Sequence, residues 1–219
     1  MNRPTIRLLA PRCAALVATL LLAARPAAAL PLISEVFYDA VGSDDGQSFV
    51  ELHGPPGTVL DGWVLEHVNG ADGRVVATLA LVGVIGPSGL YVVADRLADG
   101  TTAVPVFDLL LNFDFQNGPD SVVLRGPGGI ADAVGYGEFG PAEFFAGEGS
   151  PALDVPAGSS LARWFADLDT DENAADFREL TAPTPGTAQL VPEPGTALLS
   201  AAGTLGLAAL GRARRVSVR

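Results

Sequence analysis

The sequence predicts an all-β domain held between two apolar terminal segments. Residues 32–136 alternate short runs rich in Val, Leu, Ile, Tyr and Phe with breaks of Gly, Pro, Asn and Asp. That spacing belongs to an antiparallel sandwich or barrel. No stretch carries the 3.6-residue apolar stripe of an amphipathic helix, and no repeat of fixed period interrupts the pattern. Residues 14–24 and 196–210, by contrast, contain no charge at all.

The N-terminal segment comes first. Residues 1–12 are basic, 14–24 are apolar, and Arg25-Pro26 precedes Ala27-Ala28-Ala29. Charge, core and small residues in that order predict a secretory signal helix over residues 1–29, cut by signal peptidase after Ala29. An eleven-residue core is short for a permanent span. Cys13, the single cysteine, precedes that core, so it is not a lipoprotein cysteine. The domain beyond the leader therefore has neither a disulfide nor a thiol nucleophile, and hydrophobic burial must hold it together.

Strands are expected at residues 32–38, 49–53, 63–68, 75–82, 90–94, 104–111, 121–125 and 130–136. In the first, Ile33, Val36 and Phe37 are apolar, and the alternation falters near Glu35. In the second, Val50 and Leu52 share one face while Phe49, Glu51 and His53 share the other. Trp63 with Val64 and Leu65 supplies a core anchor. Asn117-Gly118 is read as a hairpin turn. Residues 137–155 form a longer connection rich in Gly, Pro and Phe.

Charge narrows the partners. Between Leu30 and Leu190 five arginines face twenty-four acids, a formal charge of −19. Such a surface repels phosphate backbones, so nucleic-acid binding is disfavoured, while divalent cations or basic partners are attracted.

The densest chemical cluster is Asp167, Asp169, Asp171, Asn173 and Asp176. Alternating oxygen donors of this kind can converge on Ca²⁺. An EF-hand is excluded, because Glu172 stands where it needs Gly and Arg178 where it needs a bidentate Glu. The competing and preferred reading is an Asx-turn loop whose side chains bond local amides. Gly135 to Gly140 matches G-x-G-x-x-G, but Pro141 and Gly147 oppose a following helix, leaving a glycine turn. Ser88 lacks nucleophile-elbow spacing and belongs to a turn. His53 and His67, the only histidines, lack a second ligand at metal-site spacing and are expected on exposed strand faces. Phe139, Phe144 and Phe145 either present a carbohydrate or partner contact or fold back as a cover over the core, the cover being favoured.

Two resemblances join these observations. Residues 32–189 carry, in order, LISEVFYDAVGSDDGQSFVELHGP, LDGWVLE, SGLYVVAD, LNFDFQNGPDSVVLRGPGGIADAVGYG, GSSLARW and DTDENAADFRELTAPTPGTA. This succession resembles bacterial lamin-tail domains, which implies an immunoglobulin-like β-sandwich over residues 30–190. His53-Gly54-Pro55-Pro56 replaces the family's aromatic-Asn turn, and the 137–155 connection is longer than usual.

Residues 191–219 place Pro192, Glu193 and Pro194 before an uncharged stretch of fifteen residues and then Arg212, Arg214 and Arg215. A helix of that length spans about 22 Å, short of a ~30 Å hydrocarbon core, and the arginines suit the cytoplasmic face. The segment resembles a PEP-CTERM sorting tail. That implies a short hydrophobic helix, retention at the inner membrane, cutting by an exosortase near Pro192-Glu193-Pro194, and a Gram-negative host with an exopolysaccharide system.

Together the resemblances imply an exported, non-enzymatic surface or extracellular-matrix protein with no cofactor, its partner an extracellular polysaccharide or surface protein. A Ca²⁺-dependent binding module using the 167–176 loop is the alternative. A hydrolase ranks last, since no residues are left to encode a nuclease or phosphatase partner domain.

Overall fold

The computed structural model describes residues 29–191. The expected signal and tail helices, Cys13, Pro192, Glu193 and Pro194 lie outside the described residues. Two sheets form within them. One contains β1 (Leu32–Phe37), β2 (Phe49–His53), β5 (Leu90–Asp95), β6 (Leu109–Leu111), β9 (Ser160–Arg163) and β10 (Phe177–Leu180), in the order β10-β9-β1-β2-β5-β6. The other contains β3 (Val64–Asn69), β4 (Val75–Ala80), β7 (Asp120–Gly126) and β8 (Gly129–Tyr136), in the order β4-β3-β7-β8. The helix α1 (Asn173–Asp176) is a single turn before β10.

The all-β expectation therefore holds, with corrections of detail. Every pairing is antiparallel except β5 with β6, which run parallel because the chain crosses over between them. β9 and β10 are not evident as strands in the sequence, since each has only four residues, β9 ending on Arg163 and β10 interrupted by Arg178 and Glu179. The 104–111 run contracts to Leu109–Leu111, consistent with Pro105, which has no N–H to give a ladder. Nor does Asn117-Gly118 turn a hairpin. β7 and β8 are joined by Pro127-Gly128, between the paired Gly126 and Gly129.

One apolar cluster lies between the sheets. Ile33, Val36, Val50, Leu52, Tyr91 and Val93 from the first meet Leu65, Leu79, Val122, Leu124, Val134 and Tyr136 from the second. Each fully buried side chain of this kind contributes about 1.5–3 kcal/mol. Trp63 joins this core as expected, and Tyr38 stacks on Tyr136 at 4.1 Å. The faltering alternation in β1 is a bulge between Ile33 and Glu35. It lets Ile33 and Val36 both face the core and turns Glu35 outward.

Neither outer face is bare. On the first sheet, Phe37, Phe49, Val92, Ala94 and Val104 make a second apolar cluster. On the second, Val68, Val123 and Ala133 pack with Ala146 of the 137–155 connection. The phenylalanines of that connection fold back. Phe145 lies so close to Gly135 that a Cβ there would sit 2.2 Å from its ring, and Phe139 meets Phe145 edge-on at 5.2 Å. Phe144 rests on Gly73, which has a positive φ of 72°, and stays half exposed. The cover reading, not the contact reading, describes Phe145.

Candidate functional site

Arg163, on β9, is the hub of a buried polar layer. β9 lies between β1 and β10, so its guanidinium is shut away from solvent. Nη2 donates to Asp132 at 2.7 Å, Nη1 to Asp176 at 2.9 Å and Asp169 at 3.2 Å, and Nε to the Ile33 carbonyl at 2.9 Å. The guanidinium also stacks 4.6 Å over Phe177. A buried charge persists only with partners of this quality. Burial opposes the charge on Arg163, but Asp132 and Asp169 outweigh it and raise its pKa.

The carboxylates respond differently. Burial pushes Asp132 up against the pull of Arg163. Burial acts on Asp176 as well, but hydrogen bonds from Thr170 and the charge of Arg163 hold it below the usual range. Glu148 is pushed up to about 8 by burial and by the negative charge of Asp132 and Asp169.

The five residues of the 167–176 cluster are only partly brought together. Asp169 and Asp176 converge on Arg163. Asp167 instead accepts the Val191 N–H at 2.7 Å, and Asp171 is exposed at a φ of 56°. Asn173 turns inward. Its Oδ1 accepts from the Gly135 and Glu148 amides at 2.9 and 3.0 Å, and its Nδ2 donates to the Ala133 carbonyl at 2.9 Å. These are structural bonds that tie the loop to β8.

Among the described residues, the oxygens best placed for a cation belong to Asp132, Glu148 and Asp169, all within 4.8 Å of one another. Asp132 and Glu148 were missed because they stand far from the acidic cluster in the chain. Asp132 offered one signal, an acid inside the apolar run of β8.

Glu35 and Glu51 make a second buried group. They are register partners on β1 and β2, facing outward beneath residues 181–191, which run as a strap over the sheet. Glu35 accepts the Thr184 N–H at 2.9 Å and its hydroxyl at 2.8 Å, along with the Ser160 hydroxyl. Glu51 accepts the Ser34 hydroxyl at 2.8 Å and the Gly186 N–H at 2.7 Å. Burial raises both, Glu51 to about 7, with the neighbouring Glu35 charge adding to the effect. A cavity of about 180 Å³ beside them is lined by both acids, Arg163, Arg178 and Thr187.

The histidines require correction. His67 is fully buried, because alternation puts it on the same core-facing side of β3 as Leu65. Its Nε2 pairs with Asp120 at 2.8 Å, and its ring meets Phe115 edge-on at 5.1 Å. His53 is partly covered, and that burial lowers its pKa. Ser88 accepts the Leu90 N–H within a turn, and Gly135 to Gly140 leads into a bend with no helix. Ala29 is the first described residue. Set against protein-family models, curated proteins and solved structures, the chain matches none.

Proposed function

We propose that this chain is an exported, non-enzymatic surface or extracellular-matrix protein. Its two-sheet domain is an immunoglobulin-like sandwich of the lamin-tail type, acting as an adhesion or scaffolding module. The residues following it are a sorting tail, held at the inner membrane until an exosortase cuts near Pro192-Glu193-Pro194.

One observation carries this reading. Residues 181–191 are fastened to the domain at Glu35, at Glu51 and finally at Asp167, which binds the amide of Val191. The next three residues are Pro192, Glu193 and Pro194. The described domain is secured as far as Val191, the residue before Pro192, which supports reading it as a module followed by a separate signal. Arg163, Glu35, Glu51 and Asn173 are engaged in holding strands, loop and strap, which supports a scaffolding role.

Mass spectrometry of the extracellular form tests it. The expected product begins after Ala29 and lacks the C-terminal arginines, whereas an intact Arg219 in the extracellular fraction overturns the processing step.

The Ca²⁺ reading moves from the 167–176 cluster to Asp132, Glu148 and Asp169, whose convergent oxygens favour it. It expects calcium to raise the melting temperature and EDTA to abolish surface association. An unchanged melting temperature ends it.

A further inference from the structure

Sheet edges expose unpaired N–H and C=O groups, and proteins blunt them with short strands, charge or cover. Three of the four edges described here are treated in those ways. β6 has three residues, β10 carries Arg178 and Glu179, and β8 is overlaid by the 137–155 connection and by the Asn173 side chain. β4 is different. Its six residues, Val75–Ala80, contain neither charge nor proline.

Its unpaired groups can be located. The Leu81 N–H donates to the Trp63 carbonyl, and Leu65 and His67 stand opposite Leu79 and Ala77. Antiparallel alternation therefore aims the N–H and C=O groups of Thr78 and Ala80 away from β3. Val76 and Val82 flank them, each about half exposed, the Val82 carbonyl being taken by the Tyr91 hydroxyl. The register shift at His67/Val68 disturbs only the start of the strand.

Charge selects the occupant. Over most of its surface a domain of −19 repels its own copy. Beside β4 opposite charges stand at the two ends of the strand, with Asp72 joining the arginine end, where it accepts the Arg74 N–H at 3.1 Å. Arg74, exposed and without an ion pair among the described residues, lies at one end of the strand. Asp61, also exposed, lies at the other, where it accepts the Gly83 N–H at 3.0 Å. Two copies of β4 set antiparallel about a two-fold axis at Leu79 bring each Arg74 to the end of the seam at which the other copy's Asp61 and Gly83 lie. The same axis pairs Thr78 with Ala80 and sets Val76 against Val82, twice over.

We propose that the protein forms a homodimer through β4, joining the two four-stranded sheets into one continuous eight-stranded sheet. Such an isologous contact closes on itself and limits assembly to two copies.

Sedimentation velocity of the full chain in detergent, over a concentration series, tests this. The wild type is expected to pass from monomer to dimer. Val76→Lys places a charge in the seam and should weaken the dimer at least tenfold. Arg74→Asp should weaken it severalfold, and adding Asp61→Arg should restore it. Melting curves check that each variant is folded. A wild type that stays monomeric throughout overturns the proposal, leaving the edge to a different partner. A dimer indifferent to Val76→Lys and Arg74→Asp overturns it equally, because its contact then lies elsewhere.

Discussion

The two edges of the four-stranded sheet, β8 and β4, are finished in opposite ways. Along β8 the chain adds material: Ala152 bridges Tyr136, Asn173 takes the Gly135 amide, and Phe145 lies on Gly135. Polar groups there are buried, so each must find a partner within the chain. Along β4 nothing covers the backbone among the described residues, and the side chains are uncharged and, but for Thr78, apolar. The covered edge is specific to itself and intolerant of change. The bare edge contributes to the fold of one copy through Leu79 and its pairing with β3, while its outward side contributes little.

The largest effect is expected on the covered side. Arg163→Met should cost about 3–5 kcal/mol, because Asp132 and Asp176 would remain buried without their counter-charge. Denaturant unfolding measures it. A loss below about 1 kcal/mol would mean that the arginine hub is not what fixes the 167–176 loop against β8.

Next comes pH. Glu51 titrates near 7 in the folded chain and Glu148 near 8, both above the ordinary 4.5. A raised carboxyl pKa means that the folded state holds its proton longer. The stability these groups supply is therefore fully present below pH 4.5 and is lost as pH rises through 7 and then 8. For Glu51 the loss is about 3 kcal/mol. Asp176 acts oppositely, its stability present above 3.8 and lost in acid. The melting temperature should peak in mildly acidic buffer, and Glu51→Gln should flatten its decline between pH 5 and 7. An unchanged slope would refute the assignment.

A smaller effect is expected in the aromatic cover. Phe145→Ser should cost about 2 kcal/mol, since its ring is lodged against Gly135, and Phe144→Ser under about 1 kcal/mol, since Phe144 is half exposed. Equal costs would mean that both rings are buried alike, against the geometry.

These cases show what was legible beforehand. Most strand runs, the Trp63 anchor and the break in alternation near Glu35 were readable, because alternation and turn residues are local signals. The Arg163 hub was not, since its partners at 132, 169 and 176 come from separate elements, and only the fold makes them neighbours. His67 could have been read, because its parity with Leu65 already put it inside. The 167–176 acids admitted a cation loop beside the preferred Asx-turn reading, and neither included Arg163, whose charge two of them share. The strap over Glu35 and Glu51 was hidden because long-range backbone-to-carboxylate bonds leave no periodic trace.

The bare edge gives the smallest effect and the finest test of the comparison. Val76→Lys should leave the stability of a dilute sample within about 0.5 kcal/mol of the wild type, because Val76 is half exposed and outside the core. Dimerisation changes this by mass action. As concentration rises through the dissociation constant, the wild type should gain melting temperature while Val76→Lys gains none. The divergence with concentration, not the value at any one concentration, is what assigns the edge to assembly. If Val76→Lys destabilises the dilute monomer as much as Phe145→Ser does, then β4 belongs with the covered elements and the contrast between the two edges fails.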